Sequence, residues 1–191
     1  MTYTLENAHV VVVEDMAPML ELTVSILKTF GFTRVEGFRD AGEAFDYIIS
    51  ENPDVIITDW LMEPMNGIEL IRKIRTSDNS PNPYIPVVLM TGYSDRARVE
   101  MARDSGVTEF LMKPYSAKDL YSRIVQIIEK PRQFVDAGTF FGPDRRRRKN
   151  FDYSGPLRRE QDQDAPDPES AEKRKMASQI LDELRSNGKN G

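Results

Sequence analysis

Five short apolar runs, each followed by a stretch with helical spacing, constrain this chain more than any other feature of its sequence. His9–Val13 (HVVVV) is a continuous run suited to a strand buried on both faces. From Met19 to Phe30 the apolar residues Met19, Leu20, Val24, Leu27 and Phe30 recur at helical spacing, and Gly31 ends the run. A short strand at Arg34–Glu36 precedes a helix at Asp40–Ser50, with Asp40 as its cap and Ala44, Phe45, Ile48 and Ile49 facing inward. The strand Val55–Thr58 leads to the helix Gly67–Arg75, and the strand Val87–Met90 to the helix Asp95–Ser105. The last pair is a strand at Glu109–Leu111 and the helix Ala117–Glu129, whose predicted buried stripe is Leu120, Ile124, Ile127 and Ile128.

Five βα units in this span predict an α/β fold, a doubly wound five-stranded parallel sheet (βα)5 with helices on both faces. A TIM barrel needs eight units and about 250 residues, so the length of 191 residues excludes it. A dinucleotide site needs a glycine-rich turn after the first strand, whereas this turn reads Glu14-Asp15-Met16-Ala17-Pro18. Two acids stand where a phosphate-binding turn places glycines, which suits a cation. The chain has no cysteine and one histidine, His9, which excludes disulfides, thiolate metal sites and a His-rich cage. No apolar run approaches the roughly 18 residues of a membrane span, and residues 1–20 lack the basic-then-apolar pattern of a signal segment, so none is expected. A cytoplasmic protein is expected.

Charge divides the chain. Residues 1–131 carry 13 basic and 20 acidic side chains, and residues 132–191 carry 13 and 11. Nearly all the β-branched and Leu-rich runs precede Pro131, so the predicted domain is 1–131. Residues 132–172 are expected to be a flexible, largely disordered tail, arginine-rich and then acidic. Residues 173–191 are expected to form a short amphipathic helix with a frayed end. Met176, Ile180 and Leu184 supply that helix with an apolar stripe. A helix this short needs a surface to pack on, and a dimer through it is one way to provide that surface.

In an open α/β sheet, ligands sit beyond the carboxyl ends of the strands. Here the first strand delivers Glu14 and Asp15, the third Asp59, and the fourth Thr91; the fifth leads into Lys113-Pro114. Converging carboxylates raise one another's pKa unless a cation is present. With oxygen ligands alone, Mg²⁺ is the natural ion. A lysine and a hydroxyl beside the acids suit an added anion with several acceptor oxygens. The consistent chemistry is a carboxylate attacking phosphorus while metal and lysine offset the charge.

Residues 9–130 resemble the receiver domain of bacterial two-component response regulators, a flavodoxin-like fold. The resemblance is carried by VVVVED (10–15), IITDWLMEPMNGIELIRKIR (56–75), VVLMTGY (87–93) and FLMKPYS (110–116). It implies that Asp59 accepts phosphate from a histidine kinase or a histidine phosphotransfer protein. It also implies that Asp15, Asp59 and the Leu61 backbone carbonyl ligate Mg²⁺, with Glu14 helping through water. Glu14 stands where the family more often has Asp. By the same resemblance, Thr91 and Lys113 contact the phosphoryl oxygens and Phe110 is the aromatic switch residue. Leu61 and Tyr93 flank the approach of hydrolytic water, and a bulky Leu61 predicts slow self-dephosphorylation. Such a receiver is a switch for protein–protein contacts rather than an enzyme. A metal-dependent phosphohydrolase would ordinarily need a second carboxylate two residues after Asp59, where Leu61 stands. A degenerate receiver used only for binding is disfavoured by the presence of Asp15, Asp59, Thr91 and Lys113.

No DNA-binding domain is expected in residues 132–191. The tail repeats an aromatic-x-Gly-Pro-x-Arg-Arg element, Phe140-Phe141-Gly142-Pro143-Asp144-Arg145-Arg146 and then Tyr153-Ser154-Gly155-Pro156-Leu157-Arg158-Arg159. Arg147, Arg148 and Lys149 extend the first copy. Arginine pairs bidentately with phosphates and stacks on bases, and aromatic rings add platforms. The tail is similar to the arginine-rich extension of receiver-like proteins that bind cyclic di-GMP and act on flagellar motors. That resemblance makes Phe140, Arg145, Arg146, Arg147, Arg148, Tyr153, Arg158 and Arg159 candidate nucleotide contacts. RNA or membrane phospholipid as the ligand, docking of the tail on the acidic receiver, and a merely solubilising tail are the alternatives.

Overall fold

The computed structural model describes residues 5–92, 96–136 and 140–144. The elements are β1 (His9–Val13), α1 (Ala17–Thr29), β2 (Arg34–Phe38), α2 (Ala41–Glu51), β3 (Val55–Asp59), α3 (Gly67–Thr76), β4 (Val87–Thr91), α4 (Arg96–Asp104), β5 (Glu109–Met112) and α5 (Ala117–Glu129). The five strands form one parallel sheet in the order β2-β1-β3-β4-β5. This is the doubly wound (βα)5 architecture that the alternating periods predict.

The alternation of side chains along each strand sorts the core into two layers. Val11, Val13, Ile56, Val87 and Leu89 pack with Ala44, Phe45 and Ile48 of α2 and with Ile68, Ile71 and Ile74 of α3. Val10, Val12, Ile57, Val88 and Met90 face the other way, against Leu27 of α1 and Leu120, Ile124 and Ile127 of α5. Because the central strands are buried on both faces, they read as unbroken apolar runs.

Local signals set the helix ends. The Asp40 carboxylate accepts from the N–H groups of Gly42 and Glu43, as expected of a cap. Asn66 with Glu69, and Ser116 with Asp119, form reciprocal capping boxes at α3 and α5. Some element ends and one buried position shift. Strand β2 runs to Phe38, two residues beyond the predicted end, because Val12 and Val13 pair with Gly37 and Phe38. Helix α4 is described over Arg96–Asp104. Ile128 is 39% exposed, since the buried face of α5 is already filled by Leu120, Ile124 and Ile127.

Ordered structure continues past Pro131. Strands β6 (Phe134–Asp136) and β7 (Phe141–Pro143) pair antiparallel, and the Asp144 N–H donates to the Gln133 carbonyl at 2.7 Å. Tyr84, Phe134 and Phe141 bring their rings together with centroids 5.2–5.7 Å apart. Gly142 permits close approach: a Cβ there would lie 2.8 Å from the Gly106 Cα. Beneath the hairpin sits Arg75, only 5% exposed. Its Nε and Nη2 donate to the Gly106 carbonyl at 3.1 and 3.0 Å, and Nη1 donates to that of Pro83 at 2.8 Å. The guanidinium lies 5.1 Å from the Phe134 centroid. Carbonyl dipoles and a π face thus hold the buried cation, and burial lowers its pKa to about 9. Arg132 and Arg123 approach the buried carboxylate of Glu109 at 3.9 and 3.8 Å, a second tie across Pro131.

The chain divides into the units Met1–Arg147 and Arg148–Gly191, and the second lies wholly outside the described residues. The acidic segment and the terminal amphipathic helix expected from the sequence therefore lie outside them too.

Candidate functional site

Parallel pairing brings every strand's carboxyl end to one edge of the sheet, and the polar residues of the sequence reading meet there. Glu14 directly follows β1, and its N–H donates to the Phe38 carbonyl at the end of β2. Asp59 is the last residue of β3 and Thr91 the last of β4; both side chains are buried. Lys113 follows β5, its N–H donating to the Thr91 carbonyl at 2.8 Å. The Asp59 main chain is fixed from below: a Cβ at Gly67 would overlap the Asp59 carbonyl oxygen, so only glycine lets α3 start this close.

Glu14, Asp15 and Asp59 each offer a carboxylate oxygen within 4.8 Å of the others. The Lys113 ammonium donates to Glu14 Oε2 at 2.6 Å and pairs with Asp59 Oδ1 at 2.9 Å. Glu14 is fully buried, and its Oε1 has no hydrogen-bond partner among the described residues. Burial is the main cause that raises the Glu14 pKa, the Asp59 charge adds to it, and the Lys113 bond opposes it. For Lys113, burial acts to lower the pKa, yet the bonds to Glu14 and Asp59 and their charges outweigh it and the net shift is upward. One lysine cannot neutralise three acids, so a further cation with oxygen preference fits this crevice.

The remaining predicted site residues take different places. Leu61, two residues beyond Asp59, is 58% exposed. Phe110 lies in β5, partly buried against the core layer that holds α2 and α3. Phe140 is half-buried, next to the hairpin strand β7. Tyr93, Arg145, Arg146, Arg147, Arg148, Tyr153, Arg158 and Arg159 lie outside the described residues.

Two contacts escaped the sequence reading. The Tyr115 hydroxyl meets Thr23 Oγ1 at 2.7 Å, and Thr23 donates to the Met19 carbonyl, which ties the Lys113 loop to α1. Arg39 Nε donates to the Asp15 carbonyl at 2.9 Å. The first has no local signature, because its partners are 92 positions apart. The second is not evident from a β2 predicted to end at Glu36, which leaves Arg39 away from the carboxyl edge.

Comparison with known proteins agrees with this geometry. Residues 10–125 match the family model described as the response regulator receiver domain. The chain is 30% identical over 121 residues to the chemotaxis protein CheY of Pseudomonas aeruginosa, covering 63% of this chain and 96% of that protein. It is 26% identical over 125 residues to CheY-3 of Vibrio cholerae, covering 65% and 95%. Among solved structures, the receiver domain of a signal transduction histidine kinase from Syntrophus aciditrophicus has a TM-score of 0.57 at 28% identity, covering 69% and 98%. The chemotaxis response regulator CheY4 of Vibrio cholerae has a TM-score of 0.58 at 24% identity, covering 63% and 98%, a likeness of fold. No helix among the described residues is long and apolar enough to cross a membrane. With its acidic triad at the carboxyl edge of a (βα)5 sheet, the chain belongs to the response regulator receiver family, whose members serve phosphorelays as switches rather than as true enzymes.

Proposed function

We propose that Asp59 is the phosphoacceptor, taking its phosphoryl group from a histidine kinase or a histidine phosphotransfer protein. The observation that carries the reading is the Lys113 ammonium spanning Asp59 and Glu14 within a crevice of three carboxylates. Glu14, Asp15, Asp59 and the Leu61 carbonyl are the groups that would hold Mg²⁺. The Glu14 Oε1, which lacks a hydrogen-bond partner among the described residues, and the all-oxygen donor set fit such an ion. When bound, the ion offsets negative charge on the phosphoryl oxygens.

In the transfer, an Asp59 carboxylate oxygen forms a bond to phosphorus as the P–N bond of phosphohistidine breaks. The electron pair leaves with the imidazole, which is then protonated from water, and Asp59 becomes an acyl phosphate. Lys113 exchanges its bond to Asp59 for one to a phosphoryl oxygen, and the Thr91 hydroxyl supplies another donor. Phe110 repacks as Thr91 is drawn inward, changing the surface read by an output protein. Leu61 and Tyr93 set the lifetime of the acyl phosphate by shielding it from water. The chemotaxis names of the curated relatives favour a flagellar motor component as that output.

The test is intact mass after treatment with acetyl phosphate and Mg²⁺. A labile gain of about 80 Da, present in the wild type and absent in Asp59→Asn, supports the reading. A gain retained in Asp59→Asn overturns it.

For the tail, the repeated Gly-Pro-x-Arg-Arg element favours cyclic di-GMP as ligand. Phe141 and Gly142 of the first copy are engaged by the hairpin, so Arg145–Arg148, Tyr153, Arg158 and Arg159 would carry the contacts. Calorimetric titration with cyclic di-GMP should give heat that is lost in an Arg145→Ala/Arg146→Ala variant. Absence of heat from the wild type at micromolar protein overturns this reading.

A further inference from the structure

Strand β2 ends beside the acidic crevice. Phe38 is in register with Val13, and its carbonyl accepts from the Glu14 N–H at 3.0 Å. The next residue, Arg39, is exposed, and its Nε–H donates to the Asp15 carbonyl at 2.9 Å. A guanidinium has five N–H donors; this bond uses one donor and fixes the group at the rim. A phosphodonor arriving at this mouth brings negative charge toward Glu14, Asp15 and Asp59. The Lys113 side chain is only 21% exposed, and its ammonium is already bonded to Glu14 and Asp59. Among the described residues, Arg39 is therefore a cation that an incoming donor meets from solvent beside Asp15. Its attachment to the main chain of Asp15 keeps it well within the roughly 10 Å over which exposed charges act at 0.1 M salt.

We propose that Arg39 determines phosphodonor preference at this site, raising capture of doubly charged donors over singly charged ones by long-range attraction. The proposal rests on Asp59 being the phosphoacceptor. Attraction of this kind scales with donor charge and disappears under salt, whereas a merely structural hold on the Asp15 carbonyl would affect all donors alike.

The experiment measures initial rates of phosphorylation of the full chain with Mg²⁺, using acetyl phosphate (a dianion at neutral pH) and phosphoramidate (singly charged). Wild type, Arg39→Gln and Arg39→Lys are compared at low and high ionic strength. At low salt, Arg39→Gln should lose roughly three-fold with acetyl phosphate and about 1.7-fold with phosphoramidate, because the attraction scales with donor charge. Arg39→Lys should keep most of the wild-type rate. In about 1 M salt, where the screening length is about 3 Å, the difference should vanish. Equal loss with both donors, loss that survives high salt, or no loss at all would overturn the proposal while leaving Asp59 as acceptor. A wild type labelled by neither donor would overturn the acceptor reading and the Arg39 role with it.

Discussion

Lys113 Nζ stands 2.6 Å from Glu14 Oε2, joining the ends of the fifth and first strands across 99 positions of sequence. The bond is short because both groups are charged and Glu14 has no access to water. It makes Glu14 a costly residue to keep. A buried carboxylate beside Asp59 is held by one shared ammonium and has a second oxygen with nothing to accept from among the described residues.

Replacing Glu14 with Gln should therefore stabilise the metal-free protein. The Glu14 pKa is raised above its ordinary value of 4.5, so its contribution to folding is best in acid and declines as pH rises through that region. At pH 7 a neutral amide removes that penalty. Thermal unfolding in a chelator should show a rise of about 3 °C for Glu14→Gln, and Mg²⁺ titration should show roughly ten-fold weaker binding. A lower unfolding temperature with unchanged Mg²⁺ affinity would count against the site.

His9 should make stability fall on mild acidification. Burial is the main cause that lowers its pKa below 6.5, helped by Arg34 and opposed by Asp54, Glu36 and Glu51. Its Nε2 meets the Tyr47 hydroxyl at 3.2 Å, and Nδ1 lacks a partner among the described residues. The unfolded chain thus binds the proton more readily. The stability His9 contributes is complete above 6.5 and is lost as pH falls through the lowered value. As the chain has one histidine, a single imidazole NMR signal should titrate below 6.5. A titration midpoint at or above 6.5 would show that burial does not govern this ring.

Removing the ring that covers Arg75 should destabilise the whole receiver. Phe134→Ala takes away two aromatic contacts and the π face over a buried cation. Denaturant unfolding should lose about 2 kcal/mol. Val135→Ala, at a position 40% exposed on the same strand, should change stability by less than about 0.5 kcal/mol. Equal effects at the two positions would mean that the hairpin does not seal Arg75.

Leu61→Asn should shorten the life of the phosphorylated state. Leu61 is 58% exposed, so the substitution removes little packing and the fold should persist. An amide at this position can orient water, whereas leucine cannot. Loss of phosphate, followed by intact mass after removal of the donor, should quicken about three- to ten-fold. Identical rates would remove Leu61 from the hydrolytic path.

What could be read in advance follows from how the energy is distributed. Val10–Val13, Ile56–Ile57 and Val87–Leu89 are buried on both faces, so their composition alone declares parallel strands. Glu14 and Asp15 follow β1, Asp59 ends β3 and Lys113 follows β5, so once the topology is known they must converge. The hairpin was not legible, because Phe134–Asp136 and Phe141–Pro143 are three residues each and depend on Tyr84, Arg75 and Gly106 for a surface. Arg75 itself reads as an ordinary basic residue in a helix's last turn. Its burial follows from carbonyls 8 and 31 positions away, which no periodicity reveals. Tyr115 escapes for the same reason, its partner lying 92 positions away, whereas Arg39 escapes because β2 is predicted to end at Glu36.

Chemical location of the phosphoryl group tests the central claim most directly. After reaction with a phosphodonor and Mg²⁺, borohydride reduction of the acyl phosphate followed by peptide mass mapping should convert one residue, Asp59, to homoserine. Conversion at Asp15 or elsewhere, with Asp59 intact, would contradict the account.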